Sequence, residues 1–372
     1  MGRRNGPKRQ KKFLENWGSL PSELLDSILE SLPSIFDYIQ FSLVCKHWRK
    51  VALNQKEQRL RSCHKQLAPL LLLNSTKNSN QTRALYSVTQ GKVVHRFNLP
   101  NHRYDEDTWL CGSSHGWLAY ADASFMVTLV NPFTRGTIRL PQVMEVVKSS
   151  RPECNSEFQI SKVVLSANPS LFPNDYEVLV IFENDDGVTK ELAHFKSGDN
   201  SWTRSDRRMI EGLDIIDATY YKGRFVALTG FDSDPDHGVS KVHPSIECIS
   251  HPHELFLQKT SFLVKSTCED LLLVNTSLDM GRCFGGTRIF KLGRSCGPQW
   301  VKMESFGTDA LFLDNMNAIC VSASYSGCHP NSIYLLEGVV NLSSGEETWF
   351  KRPITWGTRS ITWIAPTMAF SI

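Results

Sequence analysis

The spacing of apolar residues changes once along the chain, and that change divides it. From Trp17 to Glu57 apolar positions recur at helical intervals. Leu25, Ile28, Leu29 and Leu32 fall at i, i+3, i+4 and i+7, with Leu24 widening the stripe and Glu23, Asp26 and Glu30 on the other side. Pro21 stands where a first-turn proline is welcome, because its missing N–H would be unpaired there anyway, and Pro33 ends this first helix. Asp37 and Gln40 have capping-box spacing for a second helix. Phe41, Val44, Cys45 and Trp48 repeat the stripe, and Val51 and Ala52 carry it into a last pattern with Lys46, Arg49 and Lys50 outward. The expectation is three short helices.

Helices this short are marginal alone in water. A piece of about forty residues cannot enclose so much apolar surface within itself. Each large side chain left exposed forfeits roughly 1.5–3 kcal/mol of burial. Some of Leu20, Pro21, Leu24, Leu25, Val44 and Trp48 should therefore face another chain, unless the helices are only a cap packed on the domain that follows.

Beyond this stretch the helical period disappears. Gln58 to Lys65 could extend the last helix, and Asn74 to Gln81, rich in Asn, Ser and Thr, reads as a linker. From Arg83 onward short apolar or alternating runs are broken by Gly, Pro, Asn and Asp, which predicts an all-β domain. The runs repeat. Val130 to Pro141, Phe195 to Trp202, Phe290 to Trp300 and Val340 to Trp349 each give a strand, a polar turn and a second strand, at steps of 65, 95 and 50 residues. The long step places a degenerate copy near residue 242, where Val242 to Ile246 fits weakly, and Leu85 to Phe97, turning at Gln90-Gly91, makes a sixth hairpin. A second unit precedes these hairpins at Gly116, Tyr176, Gly223, Asp270 and Asn331, spaced by 60, 47, 47 and 61 residues. A period near 47 suits a β-propeller blade, whereas a β-sandwich has no reason to keep it. The expectation is about six blades, with five or seven open, with Trp202, Trp300 and Trp349 packed between blades and Ile361 to Ile364 completing a blade that holds an early strand. The expected organisation is a basic, disordered tail over 1–16, the helical unit over 17–57, an extension and linker over 58–82, and the propeller over 83–372.

Composition narrows the class without naming it. At 41% apolar and 21% charged residues the chain of 372 reads as soluble and globular. No run approaches a membrane span, Leu70 to Leu73 being far too short, and no apolar signal region opens the chain, so membrane insertion and secretion are not expected. The ten cysteines contain no C-x-x-C pair, which argues against zinc or a redox motif and for small buried hydrophobes. The tail carries Arg3, Arg4, Lys8, Arg9, Lys11 and Lys12 and no acid within its first twelve residues. It suits a nuclear-import signal or a plain solubilising tail, and no specific nucleic-acid contact.

Candidate chemistry is sparse. Asp232, Asp234 and Asp236 alternate like the start of a calcium loop, but His237 and His243 stand where Gly and Glu are needed. His251, His253 and Glu254 lack a third ligand of defined spacing. His115 and Asp122 flank the first clear blade, where a backbone-holding role for His115 is the better reading than catalysis. No metal or cofactor is expected.

Two resemblances add to this. Leu20-Pro21, Glu23 to Leu25, Ile28-Leu29, Val44 to Lys46, Trp48 and Arg49 resemble an F-box, the motif that docks on the Skp adaptor of cullin-based ubiquitin ligases. The resemblance implies that Leu20, Pro21, Leu24, Leu25, Ile28, Leu29, Val44, Cys45 and Trp48 face that adaptor. Gly112 to Leu118, Asn131-Pro132, Tyr220 to Gly223, Leu271 to Val274, Phe306 to Phe312 and Val321 to Tyr334 are similar to the kelch-like DUF295 or KIB-type propeller of plant F-box proteins. The segment after Gly230 and Val242 to His253 depart from that pattern and leave the fourth blade's geometry open.

Together the resemblances imply a receptor subunit. It would bind the Skp adaptor, and through it cullin, at one end and an unidentified target protein at the other, without bond chemistry of its own, in the nucleus or cytoplasm. Two other classes stay open. One is a propeller enzyme, a hydrolase or oxidase, with a helical appendage; it needs convergent acids, bases or ligands at one end of the propeller. The other is a nuclear scaffold that binds the adaptor without turning over a target.

Overall fold

The computed structural model describes residues 17–32, 35–55, 68–74, 82–99, 108–143, 159–183, 190–205, 214–230, 239–252, 260–279, 282–293, 299–350 and 362–366. Two compact units divide the chain, residues 1–60 and 61–372. The basic tail, the expected extension over 58–65 and the Asp232 to Asp236 run lie outside the described residues.

In the first unit a 3-10 turn, Trp17–Ser19, leads to α1, Ser22–Ser31, then α2, Ile35–Ser42, and α3, Lys46–Asn54. Pro21 is the N-cap of α1 rather than a first-turn residue. Its backbone is extended, and its carbonyl accepts the Leu24 and Leu25 amides at 3.2 Å. α2 already includes Asp37 in its first turn, so the capping-box reading of Asp37 and Gln40 is corrected; the carboxylate there suits the helix's positive end. The stripe from Phe41 to Trp48 is also broken. The Leu43 and Val44 amides bond back to the Gln40 and Phe41 carbonyls at 3.1 and 3.2 Å, a tightened last turn, and the chain corners before α3. Leu25 and Leu29 of α1, Tyr38, Ile39 and Phe41 of α2, and Trp48, Val51 and Ala52 of α3 are buried. The Phe41 and Trp48 rings lie 4.5 Å apart, the Tyr38 hydroxyl donates to the Ala52 carbonyl, and Gln55 Nε2 donates to Asp26 Oδ1 at 2.7 Å.

The second unit is a six-bladed propeller. Blade one orders β25 (Trp363–Ile364), β1 (Leu70–Asn74), β2 (Thr82–Ser87) and β3 (Lys92–Asn98). Blade two runs β4 (Thr108–Ser114), β5 (Trp117–Asp122), β6 (Met126–Val130) and β7 (Thr137–Gln142). Blade three runs β8 (Ile160–Leu165), β9 (Glu177–Glu183), β10 (Lys190–Lys196) and β11 (Thr203–Arg204). Blade four orders β12 (Ile215–Tyr221), β13 (Arg224–Thr229), β15 (Ile246–Ser250) and β14 (Val239–His243). Blade five runs β16 (Thr260–Lys265), β17 (Leu271–Asp279), β18 (Arg282–Gly293) and β19 (Gln299–Met303). Blade six orders β21 (Ala318–Ser322), β20 (Asp309–Leu313), β22 (Ser332–Tyr334), β23 (Gly338–Asn341) and β24 (Glu347–Trp349), with a short α4, Ala323–Ser326, after β21.

The apolar runs are continuous because each blade is buried on both faces. Leu271 and Leu273 pack toward blade four while Leu272 and Val274 pack toward blade six. Val178 and Val180 face blade two while Leu179 and Ile181 face blade four. The inner strands approach so closely that a Cβ at Gly112 would sit 2.7 Å from the Val163 carbonyl oxygen, which explains a glycine in β4.

Three expectations need correction. Leu70–Asn74 is strand β1, paired with β2 and β25, so the propeller begins before residue 83 and the span 58–82 is not all extension and linker. The hairpin near 242 exists, but β15 pairs parallel with β13 and β14 takes the outer edge, so it is no copy of its neighbours. The run at Asn331 forms β22 and comes directly before the β23–β24 hairpin, as expected, with β20 and β21 on its other side. Trp202 and Trp300 do bridge blades, donating to the Pro141 and Ser250 carbonyls at 2.8 and 2.9 Å, but Trp349 is 50% exposed and lies over Gly338 of its own blade.

Ring closure falls where the C-terminal run was expected to act. β25 pairs with β1, Leu70 opposite Ile364 and Leu71 opposite Trp363. The fully buried Asp314 carboxylate accepts the Trp363 amide at 2.8 Å, the Thr362 hydroxyl at 2.7 Å, and the Met316 and Asn317 amides at 2.7 and 2.8 Å. Pairing with β25 covers the edge that β1 would otherwise offer to another chain, leaving the ring only short outer edges.

Candidate functional site

The helical unit presents an uncovered apolar surface at one end of α3. Trp48 Nε1 donates to the Trp17 carbonyl at 2.9 Å, and His47 Nε2 lies 3.0 Å from the Leu20 carbonyl. These two bonds tie the segment leading into α1 to the first turn of α3. Leu43 and Val44 form the corner immediately before that turn. Around it Trp17 is 57% exposed, Leu24 52%, Val44 54% and Leu43 37%, with Pro21 also exposed. These are large apolar groups, so water covers surface that burial would reward.

The nine positions of the F-box-like motif divide. Pro21, Leu24 and Val44 are open, Leu20, Ile28 and Cys45 half-buried, and Leu25, Leu29 and Trp48 interior. The expectation that all nine face a partner is therefore corrected for the last three. Their side chains fill the unit's own core, as the inward face of each stripe must. Two surface groups were missed, Trp17 and Leu43. Their signal is that they are apolar yet off the stripe: the first precedes the helix and the second leaves the i, i+3, i+4 series.

In the propeller the candidate catalytic groups hold backbone. His115 sits at φ 51 in the β4–β5 turn; its imidazole hydrogen-bonds the Leu165 backbone, and its carbonyl accepts Asn168 Nδ2 at 3.2 Å. Asn168 Oδ1 in turn accepts Trp117 Nε1 at 3.0 Å. Burial, above all, holds the His115 imidazole below the usual histidine range. Asp122 Oδ1 accepts the Ser124 and Met126 amides at 2.9 and 3.2 Å, closing the β5–β6 turn. His251 donates from Nδ1 to the Pro252 carbonyl and accepts at Nε2 from the Ser261 hydroxyl at 2.8 Å, so neither nitrogen is left for a metal. Among the described residues no group of three His, Cys, Asp or Glu could hold a metal ion. The described cysteines are unbridged. Cys111, Cys248 and Cys328 are buried as expected, with burial pushing the Cys248 thiol up to about 12, but Cys268 is exposed.

An F-box-like helical unit followed by a six-bladed propeller defines a class, the F-box proteins with an all-β second domain. The F-box-like family matches residues 17–56, and the KIB1-4 beta-propeller family matches residues 85–357. The chain belongs to the KIB1-4 beta-propeller family. The F-box protein SKIP23 of Arabidopsis thaliana is 27% identical over 286 residues, covering 71% of this chain but only 65% of that protein. The F-box protein At2g26160 of the same plant is 24% identical over 348 residues, 87% of this chain and 96% of that one. Among solved structures the Dos1 propeller covers 80% of this chain and 70% of that chain at 12% identity and a TM-score of 0.33, a likeness too distant to bear on function.

Proposed function

We propose that this chain is the substrate-recognition subunit of an SCF-type ubiquitin ligase, its F-box-like unit binding a Skp adaptor and, through it, cullin, and its propeller binding a target protein. The observation that carries the reading is the exposed apolar surface of Pro21, Leu24, Leu43 and Val44 on an F-box-like unit too small to cover it. The chain performs no bond chemistry in this reading. A held target becomes an intramolecular acceptor of ubiquitin at high effective concentration. Full-length Leu24→Ala/Val44→Ala, altered only at the surface, should lose co-purification with the adaptor while keeping the melting temperature of the parent. Target ubiquitin conjugates should fall with it. Adaptor capture by the double variant equal to the parent's overturns the reading.

The basic residues Arg3, Arg4, Lys8, Arg9, Lys11 and Lys12 are proposed to promote nuclear entry. Changing all six to Ser should move a tagged chain from nucleus to cytoplasm, and an unchanged distribution makes the tail a solubilising one.

A further inference from the structure

Blades one and two line an open cavity of about 400 Å³, within the range of small-ligand sites. Its walls come from β3 and from the β6–β7 turn that begins at Asn131. Phe97, Val130 and Pro132 give an apolar floor, and each is buried. Arg96 and Arg135 stand over it, both exposed, and neither makes an ion pair among the described residues. Two cations lining one concavity, with no acid among its described lining residues, repel each other and raise its potential, which favours an incoming anion.

The turn is built to hold that arrangement. Asn131 is fully buried. Its Oδ1 accepts the Phe133 and Thr134 amides at 2.9 and 3.0 Å, and its side-chain Nδ2, also buried, has no hydrogen-bond partner among the described residues. His95 Nε2 donates to the Pro132 carbonyl at 3.1 Å and fastens the turn to blade one. Arg135 is held at φ 60, the left-handed region that favours glycine.

We propose that this cavity binds an oxyanion carried on a short carbon framework, the two guanidinium groups of Arg96 and Arg135 pairing with the anion and the Phe97, Val130 and Pro132 floor taking the carbon part. Guanidinium forks match phosphate and carboxylate oxygens, and such charge-assisted bonds are the strong ones. A phosphorylated or acidic protein side chain and a free organic phosphate share this chemistry. The site stands independently of the ubiquitin-ligase reading, since it concerns the propeller alone.

The test is calorimetric titration of the full-length chain at low salt with phenyl phosphate, inorganic phosphate and benzyl alcohol. Phenyl phosphate should bind saturably at one site and raise the melting temperature, inorganic phosphate should bind at least tenfold more weakly, and benzyl alcohol should not register. Arg96→Gln and Arg135→Gly should each weaken phenyl phosphate at least tenfold. The glycine relieves the left-handed backbone, so the unliganded melting temperature should not fall. A capped phosphotyrosine pentapeptide that binds as well as phenyl phosphate assigns the anion to a protein side chain; its exclusion while phenyl phosphate still binds assigns a free small molecule. Absence of saturable binding, or undiminished binding by Arg96→Gln and by Arg135→Gly, overturns the site. Equal affinity for inorganic phosphate overturns the carbon-borne ligand.

Discussion

The helical unit and the propeller solve the burial problem in opposite ways. Among the described residues eight large apolar side chains are exposed, and four of them, Trp17, Leu24, Leu43 and Val44, fall within the short helical unit. The other four, Phe172, Val301, Tyr325 and Trp349, are scattered over the whole propeller. The propeller finishes its own packing because its blades cover one another and the last strand, β25, pairs with the first, β1. Three short helices have no such symmetry. Once Leu25, Leu29, Tyr38 and Trp48 have formed their core, the opposite faces have nothing to lie against. The difference separates a domain that covers its own apolar faces from a unit that leaves part of its apolar surface open.

The largest effect is expected where the ring closes. Trp363 is fully buried; it donates from Nε1 to the Leu313 carbonyl at 3.1 Å and meets the Phe312 ring edge-on at 4.8 Å. Deleting residues 360–372 should expose the edge of β1 and make the chain insoluble on expression. Trp363→Ala should cost about 3–5 kcal/mol in denaturant melts. A soluble truncation that still melts cooperatively would show that closure is not what makes the propeller self-sufficient.

An intermediate effect separates the two faces of α1. Leu29→Ala empties the unit's own core and should cost about 2–5 kcal/mol, read as lost protection in hydrogen exchange over residues 22–54. Leu24→Ala removes an exposed group and should leave that protection unchanged. Equal loss of protection in both would mean that Leu24 belongs to the core and that the unit has no free apolar face.

The smallest effect is a pH dependence confined to the propeller. Burial holds His115 and His251 below the ordinary histidine value of 6.5. The unfolded chain therefore binds these protons first as pH falls. The stability they contribute is full above the unfolded value and is lost as pH drops below it toward the folded ones. The propeller's melting temperature should decline from about pH 7.5 to about pH 5.5, and His251→Gln should flatten that decline. A rise over the same interval would reverse the assignment.

Much of this architecture was legible in the chain itself. Three helical stripes, six strand-turn-strand runs and an apolar C-terminal run all reflect periodicity, which local sterics and two-sided burial impose residue by residue. The F-box-like positions were legible as a stripe for the same reason. Where a stripe points was not. Leu24 and Leu25 are adjacent and chemically identical, yet one is 52% exposed and the other fully buried, because packing of α1 on its neighbouring helices selects the inward face. Strand order was likewise decided in three dimensions. β15 lies beside β13 in parallel, and β1 pairs with a strand almost 300 residues away, choices that depend on which edge is open when the ring closes. The cavity over Phe97 had no local signature either, since Arg96 and Arg135 belong to different blades and become one charged wall only when β3 is laid against the turn at Asn131. Periodicity is a property of neighbours along the chain. Facing, closure and convergence are properties of neighbours in space, and only packing sets them.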